Sequence, residues 1–190
     1  MSAEYGKFSE SPKTEWLDEA GDDRGMRLLE DFWYDDPDGN RWCAPAGSVI
    51  DGASIPSPLW SIVGSPYTGA YRRASVVHDV ACDDPDVARK DADRMFYYAC
   101  LAGGCSKRQA RLLYAGVRIG AWTPRIRVWS EEAVRAPALQ ESGVTARPTD
   151  VSVRTAFDEI AEELESQPET LPFEEVERIV DRQLEAKSRQ

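Results

Sequence analysis

A polar opening gives way at Met26 to runs of apolar residues, first in short stretches and then at helical spacing. Residues 27–34 predict a strand. Residues 35–40 predict a turn, since Asp38-Gly39 supplies the positive φ that a tight hairpin needs. Arg41, Trp42, Cys43 and Ala44 then read as the return strand. Pro45 and Gly47 interrupt it, and Ser48, Val49 and Ile50 form a third short strand. Residues 51–56 are rich in turn formers.

The middle of the chain is helical. Residues 59–63 predict a short helix that breaks at Gly64-Ser65-Pro66, and residues 70–82 a longer one. The next helix is expected with Asp84 as N-cap and Pro85 in its first position. It should run to about residue 101 and end at Gly103-Gly104, where a left-handed cap costs little. Ser106-Lys107-Arg108-Gln109 has capping-box spacing and should open a further helix. That helix carries Leu112, Leu113, Val117 and Ile119 and fades near Pro124.

These elements predict an α+β fold: a small N-terminal β-hairpin or meander, a three-helix core and an acidic helical C-terminal tail. Residues 1–23 read as a flexible or loosely docked arm, 24–130 as the domain and 131–150 as a linker. Residues 151–190 carry two amphipathic stripes, Phe157, Ile160, Ala161 and Leu164, then Phe173, Val176, Val180 and Leu184. One reading packs these stripes back on the domain, and the other gives them to a partner. Partner binding is the expectation, with another protein or a second copy of the chain as occupant.

Charge narrows the function. A net charge of -11 over 190 residues argues against a general nucleic-acid binder, whose affinity rests on neutralising phosphates. It also argues against holding anionic lipid by charge alone. No apolar run is long enough to span a bilayer. Residues 1–13 lack the apolar core of a secretion signal, so a cytoplasm, or a particle assembled there, is the expected location. Cys43, Cys82, Cys100 and Cys105 show no paired metal-ligand spacing and are expected as buried free thiols.

Candidate chemistry converges on His78, the sole histidine. Its imidazole is the one side chain whose unperturbed pKa lies near neutrality. Asp79 follows it, and Asp93 sits on the next predicted helix, on one face with Phe96, Tyr97 and Cys100. An inward carboxylate needs a partner. His78 is one candidate, and Arg72, Arg73 and Arg94 are others. A water-activating site and a structural His-Asp pair are both open on these residues. Asp51-Gly52-Ala53-Ser54 reads as an Asx-type turn before it reads as a site. Gly116 and Gly120, one turn apart, should permit close helix contact.

Several ordered motifs carry a family resemblance. Residues 45–56, Pro-Ala-Gly-Ser-Val-Ile-Asp-Gly-Ala-Ser-Ile-Pro, resemble the signature of the DUF1353 family, found in tailed bacteriophages and prophage regions. Residues 64–69, Tyr71-Arg72-Arg73-Ala74, His78-Asp79, residues 92–96 and residues 114–120 extend the match to roughly 26–122. The resemblance implies phage ancestry, and with it other phage or host proteins as the partners of residues 151–190; it supplies no activity.

A second, mechanistic resemblance is to secreted phospholipases A2, where a Gly-rich calcium loop precedes a His-Asp helix. It implies His78 as general base and Asp93 as the group orienting it. It implies a Ca2+ ion held by Asp79, with Gly64, Tyr67 and Gly69 in or near the loop. Calcium takes oxygen ligands and can polarise an ester carbonyl. The chain departs from that pattern at Ala74 and Ser75, where those enzymes carry a Cys-Cys pair, and at Cys82, often Tyr. Two function classes follow: a calcium-dependent ester hydrolase, or a non-enzymatic virion, tail or assembly component in which the His-Asp pair is structural.

Overall fold

A computed structural model describes residues 3–17, 25–52, 55–64, 69–123 and 150–189. Among the described residues six short strands form two antiparallel sheets, and six α-helices follow them. The strands are β1 (Lys7–Phe8), β2 (Thr14–Trp16), β3 (Met26–Leu28), β4 (Phe32–Asp35), β5 (Arg41–Ala44) and β6 (Val49–Ile50). Their orders are β1-β4-β5 and β2-β3-β6. The predicted β4–β5 hairpin is present, with Tyr34 opposite Trp42 and Asp35 opposite Arg41. Its turn closes where the Asn40 amide donates to Asp36 Oδ1 at 2.8 Å, with Gly39 at φ 87°.

Residues 27–34 are not one strand. The chain leaves β3 at Leu29 and re-enters as β4 in the other sheet, so 29–31 form a corner. There Asp31 accepts the Ala46 amide at 2.8 Å and Glu30 pairs with Lys13. The opening segment is also not loose where it is described, because it supplies β1 and β2. Phe8 stacks on Phe32 with ring centroids 5.7 Å apart. Gly6 permits the approach: at φ 88° a Cβ there would lie 2.2 Å from the Asp35 carbonyl oxygen. An apolar anchor beside a glycine was enough to dock a stretch whose average composition is polar.

The helices are α1 (Trp60–Val63), α2 (Arg72–Asp83), α3 (Arg89–Gly103), α4 (Lys107–Trp122), α5 (Asp150–Glu165) and α6 (Phe173–Ser188). α3 starts four residues later than its proline suggested. Asp84 instead folds an Asx turn, accepting the Asp86 amide at 2.9 Å, while the Val87 amide reaches the Asp84 carbonyl. Ser106 caps α4 as expected, accepting the Gln109 amide at 3.1 Å. Gly116 does allow a close contact, but with the side chain of Ile55, 3.3 Å from where its Cβ would be.

α2, α3 and α4 form the centre, with the sheets on α2 and the α5–α6 hairpin on α4. Both tail stripes are buried on the chain's own domain: Phe157, Ile160 and Leu164 on α5, and Phe173, Val176, Val180 and Leu184 on α6. Of the two readings of the stripes, packing back on the domain is the one this fold adopts. The fixing contacts are specific. Arg111, 3% exposed, sends Nη2 to the carbonyls of Pro168, Glu169 and Leu171 at 2.9, 3.0 and 3.3 Å. Phe173 enters a cage of Tyr97, Tyr98 and Tyr114, with centroids 4.8, 5.5 and 5.1 Å away. The linker expected at 131–150 lies outside the described residues apart from its last residue, Asp150, which opens α5.

Candidate functional site

α2 presents His78 inward, flanked one turn away on each side by Ala74 and Cys82. The small Ala74 side chain leaves room for α3 to press Phe96 onto the imidazole, with ring centroids 4.7 Å apart. Asp93 lies on α3 one turn before Phe96, so the same contact brings its carboxylate to the ring. His78 Nε2 and Asp93 Oδ1 are 2.8 Å apart. Both side chains are 0% exposed.

Asp93 has further partners. Arg89, one turn earlier on α3, donates Nε to Oδ1 at 3.0 Å. Arg118 of α4 donates Nη1 to Oδ2 at 3.2 Å and Nη2 to Asp181 of α6 at 3.0 Å. Lys90 closes the chain on Asp181 Oδ2 at 2.9 Å. Burial pushes the Asp93 carboxyl up. The hydrogen bond with His78 and the nearby Arg89 guanidinium outweigh it and hold the group below the usual carboxylate range.

The other candidate residues lie in two places. Asp79 is nearly buried and points to the sheets, where its Oδ2 accepts the Gly52 amide at 2.8 Å. This bond ties Gly52, just past β6, to the helix of His78. The two residues border a recess of about 10 Å³, water-sized, which Thr14, Met26, Arg72 and Ser75 also line. Gly64 and Gly69 pack on Tyr71 instead: a Cβ on Gly64 would lie 3.1 Å from the Tyr71 hydroxyl. Tyr67 lies outside the described residues.

Two donor sets bear on a metal. Among the described residues, His78, Cys82 and Asp93 bring donor atoms within 4.8 Å of one another. Cys82 Sγ is 3.5 Å from Nε2 and 3.7 Å from Nδ1 of His78. A nitrogen, a sulfur and one carboxylate suit a borderline-soft ion rather than calcium. Two guanidiniums already occupy Asp93, so a dication there would meet two positive charges at close range. At Asp79 one carboxylate oxygen is committed to an amide and the recess is bordered by Arg72. The described donors thus do not fit calcium.

The imidazole-carboxylate geometry was legible from the shared face of Asp93 and Phe96. Arg89 was legible in principle, through its one-turn spacing to Asp93. Arg118 and Asp181 were not, because only packing joins α3, α4 and α6. Gly52 as the partner of Asp79 likewise depends on how the sheets meet α2.

Residues 26–117 match the model of a family described as "Protein of unknown function (DUF1353)". The chain is 39% identical over 130 residues to an uncharacterized protein, y4jT, of Sinorhizobium fredii, covering 67% of this chain and 38% of that one. It is 41% identical over 101 residues to a second, y4iH, from the same organism, covering 53% of this chain and 42% of that one. The chain therefore spans about two fifths of the length of these curated relatives. No solved structure matches. The motifs, the His-Asp helix and the matched span agree: residues 26–117 are the part of this chain that is similar to the DUF1353 family.

Proposed function

We propose that this chain is a non-enzymatic component of a phage or prophage particle or its assembly, with the His-Asp pair serving as a structural tie. The observation that carries the structural role is the closure of the pair. His78 and Asp93 are both 0% exposed, and each Asp93 oxygen already has a donor. A general base needs the substrate's proton within hydrogen-bond reach. The ring here is enclosed by Phe96, Cys82 and Asp93. The phage setting rests on the DUF1353 resemblance alone.

Ester hydrolysis is the second reading, favoured by one observation. The 2.8 Å contact between Nε2 and Asp93 has the orientation that a carboxylate-held base uses. The test is an ester-hydrolysis assay on the full chain with millimolar calcium, run beside His78→Gln and paired with thermal melts of both proteins. The structural role predicts no hydrolysis attributable to His78 and a lower Tm for the variant. Turnover that His78→Gln abolishes at unchanged Tm would reverse the order of the two readings.

A further inference from the structure

The turn between α3 and α4 holds two cysteines in an arrangement that the His-Asp network does not use. α3 ends in a Schellman motif. Gly104 is left-handed at φ 104°. Its amide donates to the Leu101 carbonyl at 3.0 Å, and the Cys105 amide donates to the Cys100 carbonyl at 3.0 Å. That second bond closes the motif from its sixth residue to its first. The side chains of those two positions then meet, usually as an apolar contact. Here both positions are cysteine and both are buried, so the motif sets the two side chains against each other. Neither is in a disulfide.

We propose that Cys100 and Cys105 form a redox modification site, a dithiol that a hydroperoxide converts to an intramolecular disulfide across the α3 cap. The two positions differ in a way that sets the order of events. Cys100 is 0% exposed and Cys105 7%. Burial pushes the Cys100 thiol up, while the neighbouring Cys100 pulls Cys105 down. The thiolate is the reactive form, so Cys105 is the attacking sulfur and Cys100 the resolving one. Cys105 attacks one peroxide oxygen, the O–O bond breaks, and a sulfenic acid and hydroxide result. The Cys100 sulfur then displaces that oxygen, forming the S–S bond, with water as the leaving group. Two thiols and one hydroperoxide thus give a disulfide and water plus the reduced peroxide product.

The site has a route to the rest of the fold. Tyr71 lies close enough to feel both thiols electrostatically. It precedes the first residue of α2, the helix of His78, and carries Gly64 and Gly69 against its ring. Gly103 in the same turn fits so closely to the Ala70 carbonyl that a Cβ would lie 2.3 Å from it. The cap, Tyr71 and the start of α2 are therefore one packed unit.

The experiment is a hydrogen peroxide titration of the native full-length chain, quenched with N-ethylmaleimide and read by non-reducing peptide mass spectrometry. Cleavage after Arg94 and Lys107 places both cysteines in one peptide. The proposal expects that peptide to become lighter by two hydrogens and to lose both alkylation sites, with recovery under dithiothreitol. Cys43, which is exposed, supplies the internal comparison. In Cys100→Ser, Cys105 should stop at a sulfenic acid that dimedone traps, and in Cys105→Ser, Cys100 should stay alkylatable. The proposal is overturned if peptide 95–107 keeps both labels after Cys43 and Cys82 have oxidised. It is equally overturned if the link appears only once the chain is unfolded in urea.

Discussion

Asp93 stands between three cationic or proton-sharing groups, so substitutions around it separate charge from shape. Asp93→Asn keeps the volume but leaves Arg89, Arg118 and His78 around a neutral amide. Removing one partner of a buried charged pair costs about 3–5 kcal/mol, and the partial exposure of both arginines places this variant at the low end. His78→Phe removes one hydrogen bond while Asp93 keeps its two guanidiniums, so about 1–2 kcal/mol is expected. Urea unfolding of the two variants should preserve that order. If His78→Phe proved the costlier, the arginines would not be the main partners of Asp93. The pH dependence has a defined sign. The Asp93 carboxyl is held below its ordinary value near 3.8 in the fold. Its contribution is therefore fully present above that value and is lost as pH falls through the lower folded one. Acid unfolding followed by circular dichroism should be less steep for Asp93→Asn than for the parent; equal slopes would show that other carboxylates govern it.

At the scale of elements, the α5–α6 hairpin is fixed by a few contacts that can be removed singly. Arg111 binds three carbonyls of the 168–171 turn with one nitrogen, so Arg111→Met should cost about 2 kcal/mol, the worth of a buried charge-assisted bond. Phe173→Ala empties the tyrosine cage and should cost about 3–5 kcal/mol. Thermal melts that leave either variant at the parental Tm would show that the hairpin is held some other way. This is also the scale at which sequence reading succeeds and fails. The Asp38-Gly39 hairpin and the Ser106 cap were legible because each is decided by adjacent residues. The start of α3 was misplaced because Asp84 can cap a helix or close an Asx turn, and local chemistry permits both. The two apolar stripes were visible, but the surface that covers them was not. That surface comes from α4 and from Arg111, a charged residue that composition assigns to solvent. The contact of His78 with Asp93 was legible because helix spacing places Asp93 and Phe96 on one face. Arg89 is legible in the same way, one turn before Asp93 on α3, whereas Arg118 reaches the pair from α4 through packing alone.

At the scale of the molecule, the DUF1353 match ends at residue 117, while α5 and α6 lie beyond it and still bury large apolar faces on α4. A chain cut before residue 150 should thus expose that face. Its loss of helical signal beyond the deleted residues, or its aggregation, checks this by circular dichroism and light scattering. A soluble, fully folded fragment would mean the hairpin is an accessory. Closure around His78 depends on the same assembly, since the network runs from α2 through Asp93 and Arg118 to Asp181 of α6. The chain's single histidine makes that closure directly measurable with diethyl pyrocarbonate, which acylates accessible imidazole and is followed by its absorbance. The native protein should react far more slowly than free N-acetylhistidine and should reach full modification only on unfolding in urea. Native-state modification at the rate of the free imidazole would contradict a structural His-Asp tie and show a ring open to reagents.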